Sequence, residues 1–108
     1  MNTIKIGKRR IGHGFPTYVV AELSANHGQD FEKAVEIIRI AKKVGADAVK
    51  IQTYTPDTLT INCDNKYFKI KGTIWKNKNL YELYREAYTP WEWQPKLKKI
   101  ADKLKIDF

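Results

Sequence analysis

Thr17-Tyr18-Val19-Val20-Ala21-Glu22-Leu23, then Asp30-Phe31-Glu32-Lys33-Ala34-Val35-Glu36-Ile37-Ile38, then Ala48-Val49-Lys50-Ile51-Gln52-Thr53-Tyr54: these three runs decide the fold. The first follows Pro16 and is almost continuously β-branched, aromatic or aliphatic, which predicts a buried strand of the parallel type over 17–23. In the second, Asp30 is placed to accept from an otherwise unpaired N–H of a first helical turn. Phe31, Ala34, Val35, Ile38 and Ala41 recur at helical spacing, so a helix over 30–44 has one apolar face. Gly45 stands where a helix end favours a left-handed residue. The third run predicts a second strand over 48–54, which Pro56 helps to end. Strand, helix and strand within residues 17–54 make a β-α-β unit, which requires a parallel pair and a right-handed crossover.

Outward from that unit, Ile4-Lys5-Ile6 and the residues around Ile11 flank Gly7-Lys8-Arg9, the pattern of a β-hairpin over 3–12. Ser24 to Gln29 is loop chemistry. Residues 55–88 show no clean period and read as a long excursion of the kind that usually carries function. Within it we expect a short strand near Tyr67–Ile70 and a short helix from Leu80 to Glu86, capped by Asn79 with Glu82 three residues on. Thr89-Pro90-Trp91-Glu92 presents Thr89 as the cap of a helix over 90–104. Pro95 conflicts with an unbroken helix there and moves the start of its regular part to Pro95. Trp93, Leu97, Ile100 and Leu104 form an apolar stripe, and Ile106-Asp107-Phe108 reads as the opening of a third strand. Alternating β and α elements predict an α/β fold with a parallel sheet. A (β/α)8 barrel takes about 250 residues. The 108 residues here therefore read as the N-terminal portion of such a TIM barrel, led by a hairpin and truncated at the third strand.

Composition narrows the class. Apolar residues make up 43% of the chain, enough for a core and against disorder. The net charge of +8 is read first as solvated helix surface, with an anionic substrate or a nucleic acid as the sharper alternatives. The single cysteine, Cys63, excludes an internal disulfide and a disulfide-framed secreted domain. Met1 to Arg10 hold no apolar run of the signal-peptide kind. No apolar stretch approaches the roughly 20 residues that span a bilayer. The expected compartment is the cytoplasm, with no membrane and no nucleic-acid partner.

In parallel α/β proteins, sites collect at the C-terminal ends of the strands. Glu22 lies there in an otherwise apolar run, so it is either a paired structural carboxylate or a catalytic one. Lys50, Gln52 and Tyr54 share one face of the second strand. A strand lysine needs a partner, either an anionic ligand or Glu22 one strand over, and a site can be internally paired until substrate arrives. Gln52 can donate to and accept from sugar hydroxyls or an N-acetyl group. Asn26 and His27 follow the first strand at the same end. His27 is expected to be a hydrogen-bonded structural residue rather than a metal ligand, and His13 has a weaker claim still. No residues have zinc-site spacing, and neither a P-loop nor a G-x-G-x-x-G is present. Trp91 and Trp93 read as helix packing rather than a base-stacking platform.

Val20-Ala21-Glu22-Leu23-Ser24-Ala25-Asn26-His27 resembles the A-E-x-x-x-N-H motif of the sialic acid synthase family. Gly45-Ala46-Asp47-Ala48-Val49-Lys50-Ile51-Gln52-Thr53 is similar to its G-A-D-A-[VI]-K-x-Q-T motif. Gly72-Thr73-Ile74-Trp75 and the run from Leu80 to Trp93 resemble the pseudaminic acid branch of that family. Four motifs in order cover essentially the whole chain. The resemblance implies a barrel enzyme that condenses phosphoenolpyruvate with a 2,4-diacetamido-2,4,6-trideoxy hexose, forming pseudaminic acid and releasing phosphate. It matches Glu22 to the carboxylate at the sugar site, Lys50 to the lysine that binds phosphoenolpyruvate, and Gln52 to a glutamine near the sugar. Asn26 and Tyr54 are carried as further substrate-binding residues. It further implies a homodimer and a divalent metal, Mn or Mg, with no metal ligand among these 108 residues. The alternatives are an N-acetylneuraminic or legionaminic acid synthase, an inactive fragment and, on charge alone, a basic nucleic-acid-binding domain.

Overall fold

The computed structural model describes residues 2–74 and 76–108; Met1 and Trp75, which closes the Gly72–Trp75 run, lie outside the described residues. Its centre is a β-α-β unit. Strand β3 (Val20–Ser24) pairs in parallel with β4 (Ala48–Ile51), and helix α1 (Phe31–Lys43) crosses between them. Asp30 caps α1 by accepting from Lys33 N at 3.1 Å. At the other end Gly45 has φ +91°, Gly45 N donates to Lys42 O and Ala46 N to Ala41 O. This pair of bonds closes a helix through a left-handed residue.

Ala34, Val35, Ile38 and Ala41 bury the inner stripe of α1 as their spacing predicts. They meet Leu23, Val49, Leu97, Ala101 and Ile106 in one core. Leu97 and Ala101 come from α4 (Gln94–Leu104), which packs along α1. Burying an Ile or Leu side chain of this kind contributes about 1.5–3 kcal/mol. The hairpin forms as β1 (Ile4–Ile6) and β2 (Arg9–Ile11), antiparallel, with Gly7 at φ +56° on the first loop position, where glycine is tolerated best.

Several elements differ from the sequence expectation. The first strand, expected over 17–23, begins at Val20, because the backbone before it is held by a side chain: Val19 N donates to Asp47 Oδ2 at 2.8 Å. It is buried on one face only. Leu23 is 1% exposed against α1, whereas Val20, on the opposite face, is 46% exposed. The second strand, expected over 48–54, stops at Ile51, where β3 turns away, so Gln52, Thr53 and Tyr54 lie beyond the sheet.

Within the 55–88 excursion a four-residue helix α2 (Pro56–Leu59) was not expected. The strand expected near Tyr67–Ile70 reduces to one antiparallel bridge, Lys69 with Asn79. Asn79 does cap the helix that follows, α3 (Leu80–Ala87), and its side-chain amide also donates to Asn62 and Asp64. The helix expected over 90–104 splits into a 3-10 turn, Trp91–Trp93, and α4, with Pro95 in the first turn of α4. Thr89 does not cap it, since its hydroxyl is engaged by His27. Asp107 gives Ala48 a second parallel partner beside Val20, with Val49 N donating to Asp107 O at 2.8 Å.

Candidate active site

Glu22 and Lys50 are register partners on neighbouring parallel strands. Lys50 Nζ donates to Glu22 Oε1 at 2.9 Å, and more than half of each side chain is open to solvent. The second carboxylate oxygen, Oε2, accepts from Ser24 Oγ at 3.3 Å. The Lys50 ammonium, first by its hydrogen bond and then by its charge, holds the Glu22 carboxyl below its ordinary range, with Ser24 adding to the effect. Glu22 is therefore an ionised base whose two oxygens are both fixed. An ion pair this exposed binds weakly and is opened at small cost by a competing anion or hydroxyl.

Ser24 is a functional candidate that sequence reasoning missed. The register slips between Glu22 and Ser24, and Ser24 takes φ +51°. A bulge at a strand end re-aims a side chain, and here it turns the hydroxyl back on Glu22. Only the serine itself was visible in the sequence; the left-handed turn was not.

The other expected residues divide among three cavities. Lys50 lines one of about 410 Å³ with Val20, Thr53, Gln94 and Phe108. Gln52 lines another, of about 450 Å³, with Thr53, Tyr54, Leu59 and Tyr84. Asn26 lines a third, of about 270 Å³, with Ser24, Tyr54, Leu83 and Tyr84. Lys50 and Gln52 thus do not share a cavity, contrary to the single face expected of them, because Gln52 has left the strand. Tyr54 lines two of the three. Its ring meets Tyr84 edge-on, 5.5 Å between centroids and 79° between planes. Burial, and then the neighbouring Tyr84, push the Tyr54 phenol pKa up, so the Tyr54 ring is neutral near pH 7.

The loop after β3 is braced against the excursion. His27 is fully buried, its Nδ1 accepts from Gln29 N at 2.9 Å, and its Nε2 lies 2.8 Å from Thr89 Oγ1. Since Nδ1 accepts, the proton sits on Nε2 and is donated to Thr89. Burial first, and Lys33 second, lower the His27 pKa, which keeps the ring neutral. Trp93 packs its edge against His27 and Phe31, a core role, while Trp91 is exposed and reaches Tyr54 O through its indole N–H. Gln29 Nε2 donates to Arg85 O and Tyr88 O, tying the same loop to the end of α3.

Among the described residues no group of three or more His, Cys, Asp or Glu side chains is placed to hold a metal ion. The resemblance places the ligands of its divalent metal outside these 108 residues. No described helix is long and apolar enough to cross a membrane.

The sequence model of the NeuB family matches residues 37–108. Pseudaminic acid synthase of Campylobacter jejuni is 54% identical over 84 residues, which cover 78% of this chain and 24% of that protein. Pseudaminic acid synthase of Helicobacter pylori is 50% identical over 91 residues, 84% of this chain and 27% of that protein. The crystal structure of N-acetylneuraminic acid synthetase from Leptospira borgpetersenii superposes with a TM-score of 0.75 at 26% identity, covering 97% of this chain and 32% of that one. The chain spans about a quarter of the length of the curated relatives it matches.

Proposed function

The chain belongs to the NeuB family, and from that premise we propose that it supplies part of the active site of a pseudaminic acid synthase. In this reading the β-α-β unit opens a (β/α)8 barrel, and the substrates are phosphoenolpyruvate and a 2,4-diacetamido-2,4,6-trideoxy hexose. The parallel pairing of β3 and β4 and the identity to pseudaminic acid synthases support it. The observation that carries it is the Glu22–Lys50 pair, held between neighbouring strands toward their C-terminal ends and open to solvent.

In the proposed reaction C3 of phosphoenolpyruvate bonds to the aldehyde carbon of the open-chain sugar, whose oxygen takes a proton. Water adds to the electron-poor C2. That carbon then expels phosphate by C–O cleavage and becomes the ketone of the product. Lys50 leaves Glu22 to hold the phosphoenolpyruvate anion, which fixes C3 against the aldehyde. Glu22, ionised and released from Lys50, orients a sugar hydroxyl or accepts a proton from it. Gln52, Asn26 and Tyr54 meet the sugar. A divalent metal and a homodimeric state belong to the same proposal, and no step assigned here to Glu22 or Lys50 runs through the metal.

The test is Lys50→Ala in the whole protein, read as phosphate released from phosphoenolpyruvate in the presence of the sugar. Turnover is expected to fall by at least about 100-fold with the fold retained, the scale on which loss of a positioning group is felt. Near-normal turnover removes Lys50, and with it this reading of the site.

A further inference from the structure

The aromatic pair Tyr54–Tyr84 separates two cavities, one of about 270 Å³ beside Ser24 and Asn26 and one of about 450 Å³ beside Gln52 and Thr53. Neither the ion pair nor the motif residues explain why α3 stands there. Ligand sites usually enclose about 300–1,000 Å³. The smaller cavity falls just below that range and the larger lies within it. The walls of the smaller are the Tyr54 and Tyr84 rings, Leu83, Ala87 and Ala25, with Ser24 and Asn26 as the polar part of the rim. A flat, apolar group carrying one polar end suits such a pocket. A bare hydroxyl suits it less, because it can meet only the polar rim and leaves the apolar walls uncovered.

The pocket is also built. Gln29 holds the end of α3 through two hydrogen bonds, His27 holds Thr89 just beyond it, and Ser24 links the pocket rim to Glu22. A group seated against Tyr84 would thus lie beside the residue proposed to handle the sugar hydroxyls.

We propose that the pocket between the β3–α1 loop and α3 receives an acetamido substituent of the sugar, and that Tyr84 is a specificity-determining residue for N-acylated sugars. The proposal rests on the function proposed above and deepens it. The acetyl methyl packs on the Tyr84 and Tyr54 rings beside Leu83, and the amide N–H and C=O face Ser24 and Asn26. Selection follows from polarity: the acetyl methyl covers apolar wall, and a hydroxyl in its place leaves the rings and Leu83 uncovered.

The experiment compares two sugars with the whole protein, the 2,4-diacetamido-2,4,6-trideoxy hexose and a 2-acetamido hexose with hydroxyls at C4 and C6. Phosphate release gives kcat/KM for each, for the unaltered protein, Tyr84→Ala and Tyr84→Phe. We expect Tyr84→Ala to lose about tenfold or more of the preference for the diacetamido sugar, as loss of an apolar contact does. The KM for phosphoenolpyruvate should stay unchanged, and Tyr84→Phe should retain the preference. An unaltered preference in Tyr84→Ala overturns the pocket assignment and leaves the proposed function standing. No turnover by the unaltered protein with either sugar overturns the function and the pocket with it. Saturation-transfer NMR of the unaltered protein is independent of how any variant folds. The acetyl methyl protons should receive the strongest transfer, and transfer confined to the ring protons overturns the assignment.

Discussion

His27 and Thr89 stand 62 residues apart in the chain and 2.8 Å apart in space, both fully buried, and their bond ties the β3–α1 loop to the junction of α3 and α4. Removing one partner strands the other without water. His27→Ala is expected to destabilise the protein by about 1–3 kcal/mol, the cost of an unmade buried hydrogen bond. Its metal content should match that of the unaltered protein. Denaturant unfolding and metal analysis check the two halves separately; a large metal loss with an intact fold contradicts the structural role.

The same residue predicts an acid limb. The neutral ring is favoured in the fold, so the His27 pKa lies below that of the unfolded chain, about 6.5. Between the two values the unfolded chain binds more protons. The contribution of His27 is therefore whole above about pH 6.5 and is lost as pH falls through the lower folded pKa. Stability measured from pH 7.5 to 5 should fall in the unaltered protein and fall less in His27→Gln. Parallel curves for the two proteins would remove His27 as the source.

The β-α-β unit was legible because its signals are local: the Asp30 cap, the stripe from Ala34 to Ala41 and the Gly45 stop act within a few residues of themselves. Glu22 and Lys50 were legible as a pair for a related reason, since neighbouring parallel strands bring them into register. The end of β4 was not, because it depends on β3 bulging at Ser24 and withdrawing the partner that Gln52 would need. Thr89 misled because Thr-Pro reads as a cap by local chemistry, while a buried imidazole distant in sequence competes for the same hydroxyl. Tyr84 was invisible as a site residue. A tyrosine on a short helix acquires meaning only from the packing of the excursion against the loop after β3.

Asp47, inside the motif that carries Lys50, works at the opposite end of the strands. Its carboxylate takes Arg9 on one oxygen and Val19 N on the other, and so fastens the hairpin to the sheet. Asp47→Ala is expected to speed hydrogen exchange at residues 4–11 by about tenfold or more while leaving α1 protected, since local opening is governed by local contacts. Exchange that rises equally in α1 would mean that the whole fold, rather than the hairpin, depends on Asp47.

Lys50 lowers the Glu22 pKa chiefly by hydrogen bonding and then by charge. Lys50→Met removes both causes and keeps the length of the side chain. The Glu22 carboxyl should then titrate higher, toward the ordinary carboxylate range. Carbon-13 NMR of the labelled carboxyl follows this directly, and an unmoved midpoint means that the pair does not form in solution.

The last expectation concerns the 108-residue chain by itself. The Glu22–Lys50 edge of β3 pairs with β4, and among the described residues no strand pairs with the other edge. Val19 and Val20 lie half exposed there, although Val49, across the pair, is 3% exposed beneath α1 and α4. An unpaired strand edge with apolar side chains is a template for another strand, and parallel strands gain stability when both faces are covered. The isolated chain is therefore expected to associate in the micromolar range and to release no phosphate from phosphoenolpyruvate with the sugar present. Introducing a charge at the exposed edge, Val20→Lys, should shift the association toward monomer without touching the core formed by Leu23, Ile38 and Leu97. Light scattering and denaturant unfolding decide it. A monomer at high concentration with one sharp unfolding transition would show that the packing of α1 and α4 on one face is enough to hold the unit.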